Sequence, residues 1–134
     1  MSEDAIDDGQ LRALLERARH IAILGASARP RRASAAVARY LVRHGYDVSP
    51  VNPRYAGESL HGNTTVASLT EVIEPVDVVD VFRRSEDLAD LGPEILAMRP
   101  LPGAVWFQLG IRNDAVAATL RSRGITVVQD RCTM

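Results

Sequence analysis

Five short apolar runs recur at regular intervals along this chain, and they limit its possible folds more than any other feature. The runs cover residues 21–24, 46–51, 76–82, 103–107 and 125–128. They are too short for helices, several are rich in β-branched residues, and segments with helical periodicity separate them. This alternation predicts βα units with right-handed crossovers. We therefore expect a Rossmann-like three-layer α/β domain, in which helices flank a five-stranded parallel sheet.

The first two helical segments have recognisable boundaries. A helix over residues 8–19 is expected to pack on the sheet as a lid. Its apolar face consists of Leu11, Leu14, Leu15 and Ala18. Ser34 is a candidate N-cap for the second helix, and Gly45 marks where that helix ends.

Three further helices are predicted between the later runs. In residues 68–73, Glu71 follows Ser68 at the spacing of a capping box. Residues 86–98 form a helix that stops before the next proline, and residues 113–124 form the last one, with an asparagine cap and a terminal glycine.

Composition and charge exclude several classes of protein. The 134 residues, 46% apolar and 25% charged, suit one globular domain over residues 1–134. A net charge of −1 creates no overall field that would attract nucleic acid or an anionic membrane. The single cysteine excludes an internal disulfide, and the acidic N-terminus lacks the features of a signal peptide. No apolar run approaches the roughly 20 residues of a membrane span. We expect a cytoplasmic protein.

Ligands of open parallel sheets bind beyond the carboxyl ends of the strands, where the strand order reverses. The candidate site residues are therefore those that follow the five apolar runs. These loops are Gly25-Ala26-Ser27-Ala28-Arg29-Pro30, Asn52-Pro53-Arg54, Arg83-Arg84-Ser85, Gln108-Leu109-Gly110 and Asp130-Arg131-Cys132. They are rich in groups that bind anions, and Gln108 and Gly110 are included among the candidate ligand contacts.

The first loop has the composition of a phosphate-binding turn. Gly25 directly follows the strand, which permits a tight turn and lets a pyrophosphate approach the N-terminus of the next helix. The loop does not match G-x-G-x-x-G, so Gly25 alone is weak evidence. Ser27, Arg29 and Ser34 strengthen the prediction, because hydroxyl and guanidinium groups beside a helix N-terminus bind phosphate.

The second loop distinguishes between nucleotide cofactors. NAD-binding domains usually end their second strand with Asp or Glu, roughly 20 residues after the glycines, to bind the ribose hydroxyls. Asn52-Pro53-Arg54 stands here instead. A carboxylate repels a ribose phosphate, whereas Arg54 attracts one. The loop therefore favours CoA, with its 3′-phosphate, or NADP, with its 2′-phosphate, over NAD.

These loops and strands resemble those of the stand-alone CoA-binding domain proteins, which are similar to the nucleotide-binding domain of the succinyl-CoA synthetase α chain. The resemblance extends over residues 21–132. It rests on Ile23-Leu24-Gly25-Ala26-Ser27, Gly45-Tyr46-Asp47-Val48, Pro50-Val51-Asn52-Pro53-Arg54-Tyr55, Val76-Asp77-Val78-Val79-Asp80-Val81-Phe82-Arg83, Trp106-Phe107-Gln108-Leu109-Gly110 and Asp130-Arg131-Cys132. The motifs are specific in combination, and the resemblance implies that the ligand is coenzyme A or an acyl-CoA.

The resemblance also implies roles for three groups of residues. The pyrophosphate would be held by Gly25, Ala26, Ser27 and Arg29, the adenosine end by Asn52, Pro53 and Arg54, and the next edge of the site would be lined by Val81, Phe82 and Arg83. No reaction is implied. The synthetase needs a phosphorylated histidine from a separate domain and a second subunit, for which this chain has no room.

Few residues have the chemistry of a catalytic or metal site. His20, His44 and His61 have no Asp or Ser at catalytic spacing, and we expect them to be structural or solvated. One cysteine cannot supply a Cys/His set with zinc spacing. No catalytic residue and no metal site are therefore predicted.

Two other side chains call for an explanation. Cys132, beside Arg131, could form a mixed disulfide with the CoA thiol, although an unreactive cysteine is the simpler expectation. Asp80 lies within an apolar strand, where a buried acid needs a partner. We expect it to pair with Arg83 or Arg84.

The leading hypothesis is non-catalytic binding of CoA or an acyl-CoA by a carrier, sensor or regulatory module. Its predicted partner is thus a small-molecule nucleotide, with no nucleic acid or membrane partner. An NADP-dependent oxidoreductase is the alternative enzyme, although the chain has no second lobe to present a hydride acceptor. A thiol-redox protein acting through Cys132 is the third hypothesis.

Overall fold

A computed structural model describes residues 6–133 of the chain, so the predictions for residues 1–5 lie outside the described residues. The helices and strands are α1 (Asp8–Arg17), β1 (His20–Leu24), α2 (Ala33–Arg43), β2 (Asp47–Val51), β3 (Ser59–Leu60), β4 (Asn63–Thr64), β5 (Val78–Val81), α3 (Leu91–Leu96), β6 (Ala104–Phe107), α4 (Asp114–Ser122) and β7 (Thr126–Val128). Of the described helices, none is long and apolar enough to cross a membrane.

The described strands form a five-stranded parallel sheet in the order β2-β1-β5-β6-β7 and a separate two-stranded hairpin of β3 and β4. β1 pairs with β2 on one side and with β5 on the other, so the strand order reverses between β1 and β5. Every residue of β1, β5 and β6 is buried, because helices cover both faces of the sheet. The predicted Rossmann-like α/β fold is confirmed.

Alternate strand residues point to opposite faces of the sheet and form two separate cores. The core beneath α1 and α2 includes Leu11, Ile21, Ile23, Val37, Leu41 and Trp106. The core beneath α3 and α4 includes Leu24, Val79, Leu91, Ile95, Phe107 and Leu120. Because successive side chains of a strand alternate between the two faces, the position of a residue in its strand determines which pair of helices it packs against.

The N-terminal helix α1 is held at both ends. Asp7 accepts a hydrogen bond from the Gln10 N–H at 2.8 Å, and the Gln10 side chain accepts one from the Asp7 N–H at 3.0 Å. At the other end, the Tyr46 hydroxyl donates to the Leu15 carbonyl at 2.6 Å. Leu11 is buried in the core shared with α2, so α1 lies on the α2 face of the sheet.

The observed bounds of two helices differ from the bounds predicted from the sequence. α2 begins one residue before Ser34, which is buried in the first turn and is not the N-cap; the residue at the cap position is Arg32. The helix predicted over residues 86–98 is reduced to a 3₁₀ turn and the six residues of α3. Pro93 in the first turn of α3 explains this break, because its ring prevents the helix from extending toward the N-terminus.

The helix predicted over residues 68–73 is reduced to a single 3₁₀ turn with Ser68 at its N-cap position, and its predicted capping box is wrong. A 3₁₀ turn, Leu69–Glu71, follows Ser68, whose side chain makes no capping hydrogen bond. Glu71 accepts a hydrogen bond from the Ala67 N–H instead, at 2.8 Å. The β3–β4 hairpin was also missed, because strands of two residues are too short to show periodicity.

Asp80 is fully buried in β5 and is bound by two uncharged side chains. Gln108 Nε2 donates to Asp80 Oδ1 at 2.5 Å, and the Thr133 hydroxyl donates to Oδ2 at 3.0 Å. Burial raises the pKa of Asp80 to about 7, although the hydrogen bonds from Gln108 and Thr133 act in the opposite direction.

The ion pair predicted for Asp80 is wrong because both candidate arginines bind other acids. Arg83 forms an ion pair with Glu94 at 2.7 Å, and Arg84 forms one with Asp87 at 3.0 Å. Both acids lie in the segment that follows β5, outside the sheet. The arginines can therefore keep their charges near solvent, whereas Asp80 points into the core beneath α1 and α2.

Candidate nucleotide-binding site

The loops after β1, β2 and β5 converge at the carboxyl edge of the sheet, where the strand order reverses. Together with the first turn of α2 they enclose the phosphate cavity, a space of about 280 Å³. Its lining consists of Gly25, Ser27, Arg29, Arg32, Ala33, Ser34, Asn52, Arg54, Tyr55 and Phe82. This is the position at which open α/β sheets bind their ligands.

Gly25 makes the turn that leads from β1 into the cavity. Its φ of +94° is unfavourable for a residue with a side chain, and an added Cβ would lie 3.3 Å from the carbonyl carbon of Phe82. The Gly25 N–H donates to the Val51 carbonyl at 2.9 Å, which joins the loop to the end of β2. Glycine is therefore required at this turn, because the loop passes close to Phe82 as it enters the cavity.

The N-terminus of α2 faces the cavity without a capping or acidic side chain. Arg32, at the cap position, makes no side-chain capping bond, and no acid lies in the first turn. Ala33 and Ser34 from this turn line the cavity. A helix N-terminus combines N–H groups that lack helical partners with the positive end of the helix dipole. It can therefore bind an anion such as a phosphate.

Three arginines surround the cavity without an acidic partner. Arg29, Arg32 and Arg54 are exposed, and within residues 6–133 none of them forms an ion pair. Among the residues that the structure describes, no carboxylate lines the cavity. Although the whole chain has a net charge of −1, the local charge at this edge of the sheet is positive.

Asn52 connects the loop after β2 to the loop after β1. Its Oδ1 accepts a hydrogen bond from the Arg54 N–H at 3.0 Å, and its Nδ2 donates to the Ala26 carbonyl at 2.8 Å. These bonds orient the 3₁₀ turn Pro53–Tyr55, from which the Arg54 side chain extends. Asn52 thus has a structural role in addition to lining the cavity.

Four predicted site residues lie close to the cavity but do not line it. Ala26 and Val81 are buried in the two cores, and Pro53 is exposed at the start of the 3₁₀ turn. Gln108 is buried, and its amide binds Asp80. Contacts of these residues with a ligand stay predictions.

A second cavity of about 330 Å³ continues along the same edge, beyond β5 and β6. Phe82 borders both cavities, while Arg83 and Gly110 line only the second. The side of the second cavity formed by Leu109 is apolar, and this leucine is 73% exposed. The predicted residues are therefore divided between two adjoining cavities.

A sequence profile described as the CoA binding domain matches residues 19–134, which include every residue that lines the phosphate cavity. The chain belongs to the CoA-binding domain family. The resemblance identified from the sequence motifs is thereby confirmed.

Several relatives of this CoA-binding domain share nearly its whole length. YneT of Bacillus subtilis (strain 168), described as uncharacterized, is 37% identical over 123 residues, which are 92% of this chain and 88% of YneT. The solved structure of cell-free ID.343 from Thermus thermophilus is 50% identical, with a TM-score of 0.91, and the match covers 96% of this chain and 95% of that chain. A hypothetical protein from Pyrococcus horikoshii OT3 is 32% identical, with a TM-score of 0.89, and the match covers 98% and 89%.

In this CoA-binding domain, three residues that were not predicted from the sequence also line the phosphate cavity. Arg32 and Ala33 were missed because the start of α2 was placed at Ser34, which left them outside the helix N-terminus. Tyr55 was missed although it directly follows Arg54. The sequence signal for Arg32 was its position just before a helical segment of small residues.

Cys132 does not line the phosphate cavity. It is exposed and lies at a third cavity, of about 590 Å³, between α1, α2 and the C-terminal segment. The neighbouring Arg131 forms an ion pair with Asp8 at 3.0 Å. A role for Cys132 in thiol chemistry therefore gains no support from the positions of these side chains.

His61 lies in the turn between β3 and β4, close to the loop after β1. The pKa of His61 is lowered, mainly because the imidazole is partly buried. A hydrogen bond with the Ser27 backbone acts in the opposite direction, and the charge of Arg39 lowers the pKa further. The Nε2 atom of His61 is buried and has no hydrogen-bond partner among the described residues. At neutral pH the imidazole is therefore uncharged, and the positive charge near the loop comes from arginines.

Proposed function

We propose that this CoA-binding domain protein binds CoA or an acyl-CoA in the phosphate cavity, as a carrier, sensor or regulatory module that catalyses no reaction by itself. The observation that carries the proposal is the group of Arg29, Arg32 and Arg54, which surround an uncapped helix N-terminus without acidic partners. The pyrophosphate and 3′-phosphate of CoA bring several negative charges, which such a group can neutralise.

Different parts of the cavity suit different phosphates. The loop at Gly25 and the N-terminus of α2 suit a pyrophosphate, because both line the cavity and the first turn of α2 supplies N–H donors. Arg54, on the loop after β2, suits the phosphate on the ribose. The absence of a carboxylate from the lining favours this phosphate and disfavours the two free hydroxyls of NAD.

The second cavity offers room for the pantetheine arm. It meets the phosphate cavity at Phe82, and Leu109 and Ile111 give it apolar surface. The arginines of the second cavity, Arg83 and Arg84, are paired with acids, whereas those of the phosphate cavity are not. The arm is long and largely uncharged, so it suits the second cavity better. Cavities of about 280 and 330 Å³ together lie within the usual range for cofactor sites, roughly 300–1,000 Å³.

The lining of the phosphate cavity supports binding without catalysis. It contains no carboxylate, histidine or cysteine among the described residues. Ser27 carries a hydroxyl, but this oxygen accepts a hydrogen bond from the Arg29 N–H at 3.1 Å, and no general base lines the cavity to activate it. A reaction at the phosphates would thus require groups that do not line this cavity among the described residues.

Ligand-induced thermal stabilisation tests the proposal. Melting temperatures are measured with CoA, dephospho-CoA, NADP and NAD at equal concentrations. A ligand at 100 times its dissociation constant stabilises the folded protein by about 2.7 kcal/mol. CoA should give the largest increase in melting temperature, and NAD the smallest. A larger increase with NADP than with CoA would favour the oxidoreductase instead.

Arg54→Ala tests the assignment of the ribose phosphate. A charge-assisted hydrogen bond contributes about 1.5–3 kcal/mol, so the variant should bind CoA about tenfold or more weakly while its affinity for dephospho-CoA hardly changes. Arg123→Ala, at the far end of α4, removes an exposed arginine away from the cavity and should bind both ligands normally. Equal weakening of both ligands by Arg54→Ala would show that Arg54 does not bind this phosphate.

A further inference from the structure

Three side chains with metal-ligand chemistry meet at the amino edge of the sheet, opposite the phosphate cavity. His20 begins β1, Asp47 begins β2, and Glu74 lies in the segment that leads into β5. His20 and Asp47 are register partners on adjacent strands. One ligand atom from each of the three residues lies within 4.8 Å of the other two. Strand pairing therefore brings together groups that a single ion could bridge.

His20 is already oriented as a metal ligand. The residue is only 6% exposed, and its Nδ1 lies 2.8 Å from the Pro75 carbonyl oxygen, which can only accept a hydrogen bond. Nδ1 therefore carries the proton. Nε2 carries the lone pair, which accepts a hydrogen bond from the Ser49 hydroxyl at 2.6 Å. Metal-bound histidines are usually fixed in this way by a carbonyl or carboxylate on their other nitrogen.

The two carboxylates are exposed and can rotate toward His20. Asp47 accepts one hydrogen bond through Oδ1, from Asn63 at 3.1 Å, while Glu74 has no hydrogen bond or ion pair with the described residues. Both line a cavity of about 300 Å³ together with His20 and Glu71, and none of the described arginines lines it. The carboxylates give this cavity a negative charge that a cation would neutralise.

We propose that His20, Asp47 and Glu74 form a binding site for a divalent transition-metal ion such as Zn²⁺. One imidazole nitrogen with two carboxylate oxygens suits Zn²⁺ or Co²⁺ better than Mg²⁺ or Ca²⁺, which prefer oxygen ligands alone. Bonds of about 2.0–2.2 Å require the ligand atoms to move closer together than they are now, and rotation of the two exposed carboxylates provides this movement. An ion at Nε2 displaces the hydrogen bond from the Ser49 hydroxyl, which keeps its proton and rotates away, and water takes the fourth tetrahedral position.

Titration of the metal-free full chain with Co²⁺ tests the site, because the visible d–d absorption of Co²⁺ reports its coordination geometry. The wild type should bind one Co²⁺ per chain with a tetrahedral spectrum, and Zn²⁺ should displace it. Asp47→Asn and Glu74→Gln should each weaken Co²⁺ binding by about tenfold or more. Glu71→Gln removes a charge from the same cavity but no proposed ligand, so it should weaken binding by less than about threefold.

Two results would overturn the proposal. One is the absence of a one-to-one tetrahedral Co²⁺ complex in the wild type. The other is equal weakening by Glu71→Gln and Glu74→Gln, because attraction to an acidic cavity, without coordination, would then explain the binding. Far-UV circular dichroism of each variant, with and without Co²⁺, verifies that the fold is retained.

Discussion

The buried carboxyl of Asp80 should make the stability of this protein fall as pH rises, and Asp80→Asn should remove that dependence. Asparagine has nearly the same shape as aspartate. Its Oδ1 can accept the hydrogen bond from Gln108, and its Nδ2 can donate to the Thr133 hydroxyl oxygen. The substitution therefore removes a titrating group without leaving a cavity, while the Thr133 hydroxyl, which also accepts a hydrogen bond from Gln108, loses the acceptor for its own proton. That loss does not depend on pH, so it changes the stability of the variant by a constant amount.

The sign and size of the effect follow from the pKa of Asp80. The pKa is about 7 in the folded protein and takes its ordinary value of 3.8 in the unfolded chain. The folded state therefore binds the proton more tightly, and ionisation opposes folding. This cost is absent below about pH 4, grows by about 1.4 kcal/mol per pH unit between about pH 4 and 7, and is complete above pH 7. Full ionisation costs about 4 kcal/mol.

Urea unfolding at pH 5, 6, 7 and 8 measures this cost. The fluorescence of the single tryptophan, Trp106, provides the signal, because its side chain is only 1% exposed when folded. The free energy of unfolding of Asp80→Asn, relative to wild type, should increase by about 3 kcal/mol from pH 5 to pH 8. Asp90→Asn makes the same chemical change at an exposed residue whose side chain caps no helix, and it should follow the wild type.

A constant difference between wild type and Asp80→Asn over this pH range would refute the reasoning. It would mean that Asp80 keeps its ordinary pKa despite burial, or that a nearby group takes up the proton instead. Comparing the two proteins at each pH cancels the titration of all other groups, since only one ionisable side chain differs between them.

Two other variants test how the loops form the phosphate cavity. Gly25→Val places a branched side chain at a φ of +94° and against Phe82, so stability should fall by about 1–3 kcal/mol. The CoA-induced increase in melting temperature should disappear, while circular dichroism shows a folded protein. Unchanged CoA binding would contradict this prediction. Asn52→Ala removes both bonds that orient the second loop, so calorimetry should show CoA binding weakened by about tenfold. Affinity equal to wild type would mean that Arg54 does not depend on Asn52.

The sequence by itself determined the fold class and the edge of the sheet at which the candidate site lies. Both depend on local patterns: short β-branched runs form strands, helical segments connect them, and glycine and arginine follow the strand ends. The absence of an acid after β2 is equally local. Seven predicted residues, Gly25, Ser27, Arg29, Ser34, Asn52, Arg54 and Phe82, line the phosphate cavity for this reason.

Only the tertiary structure decided which distant residues become neighbours. Asp80 binds Gln108, 28 residues away, and Thr133, 53 residues away, whereas sequence proximity suggested Arg83 or Arg84. His20, Asp47 and Glu74 come together only because β2 and β5 both pair with β1. The physical reason is that strand order and register depend on how the whole sheet buries its apolar faces, which no local pattern specifies.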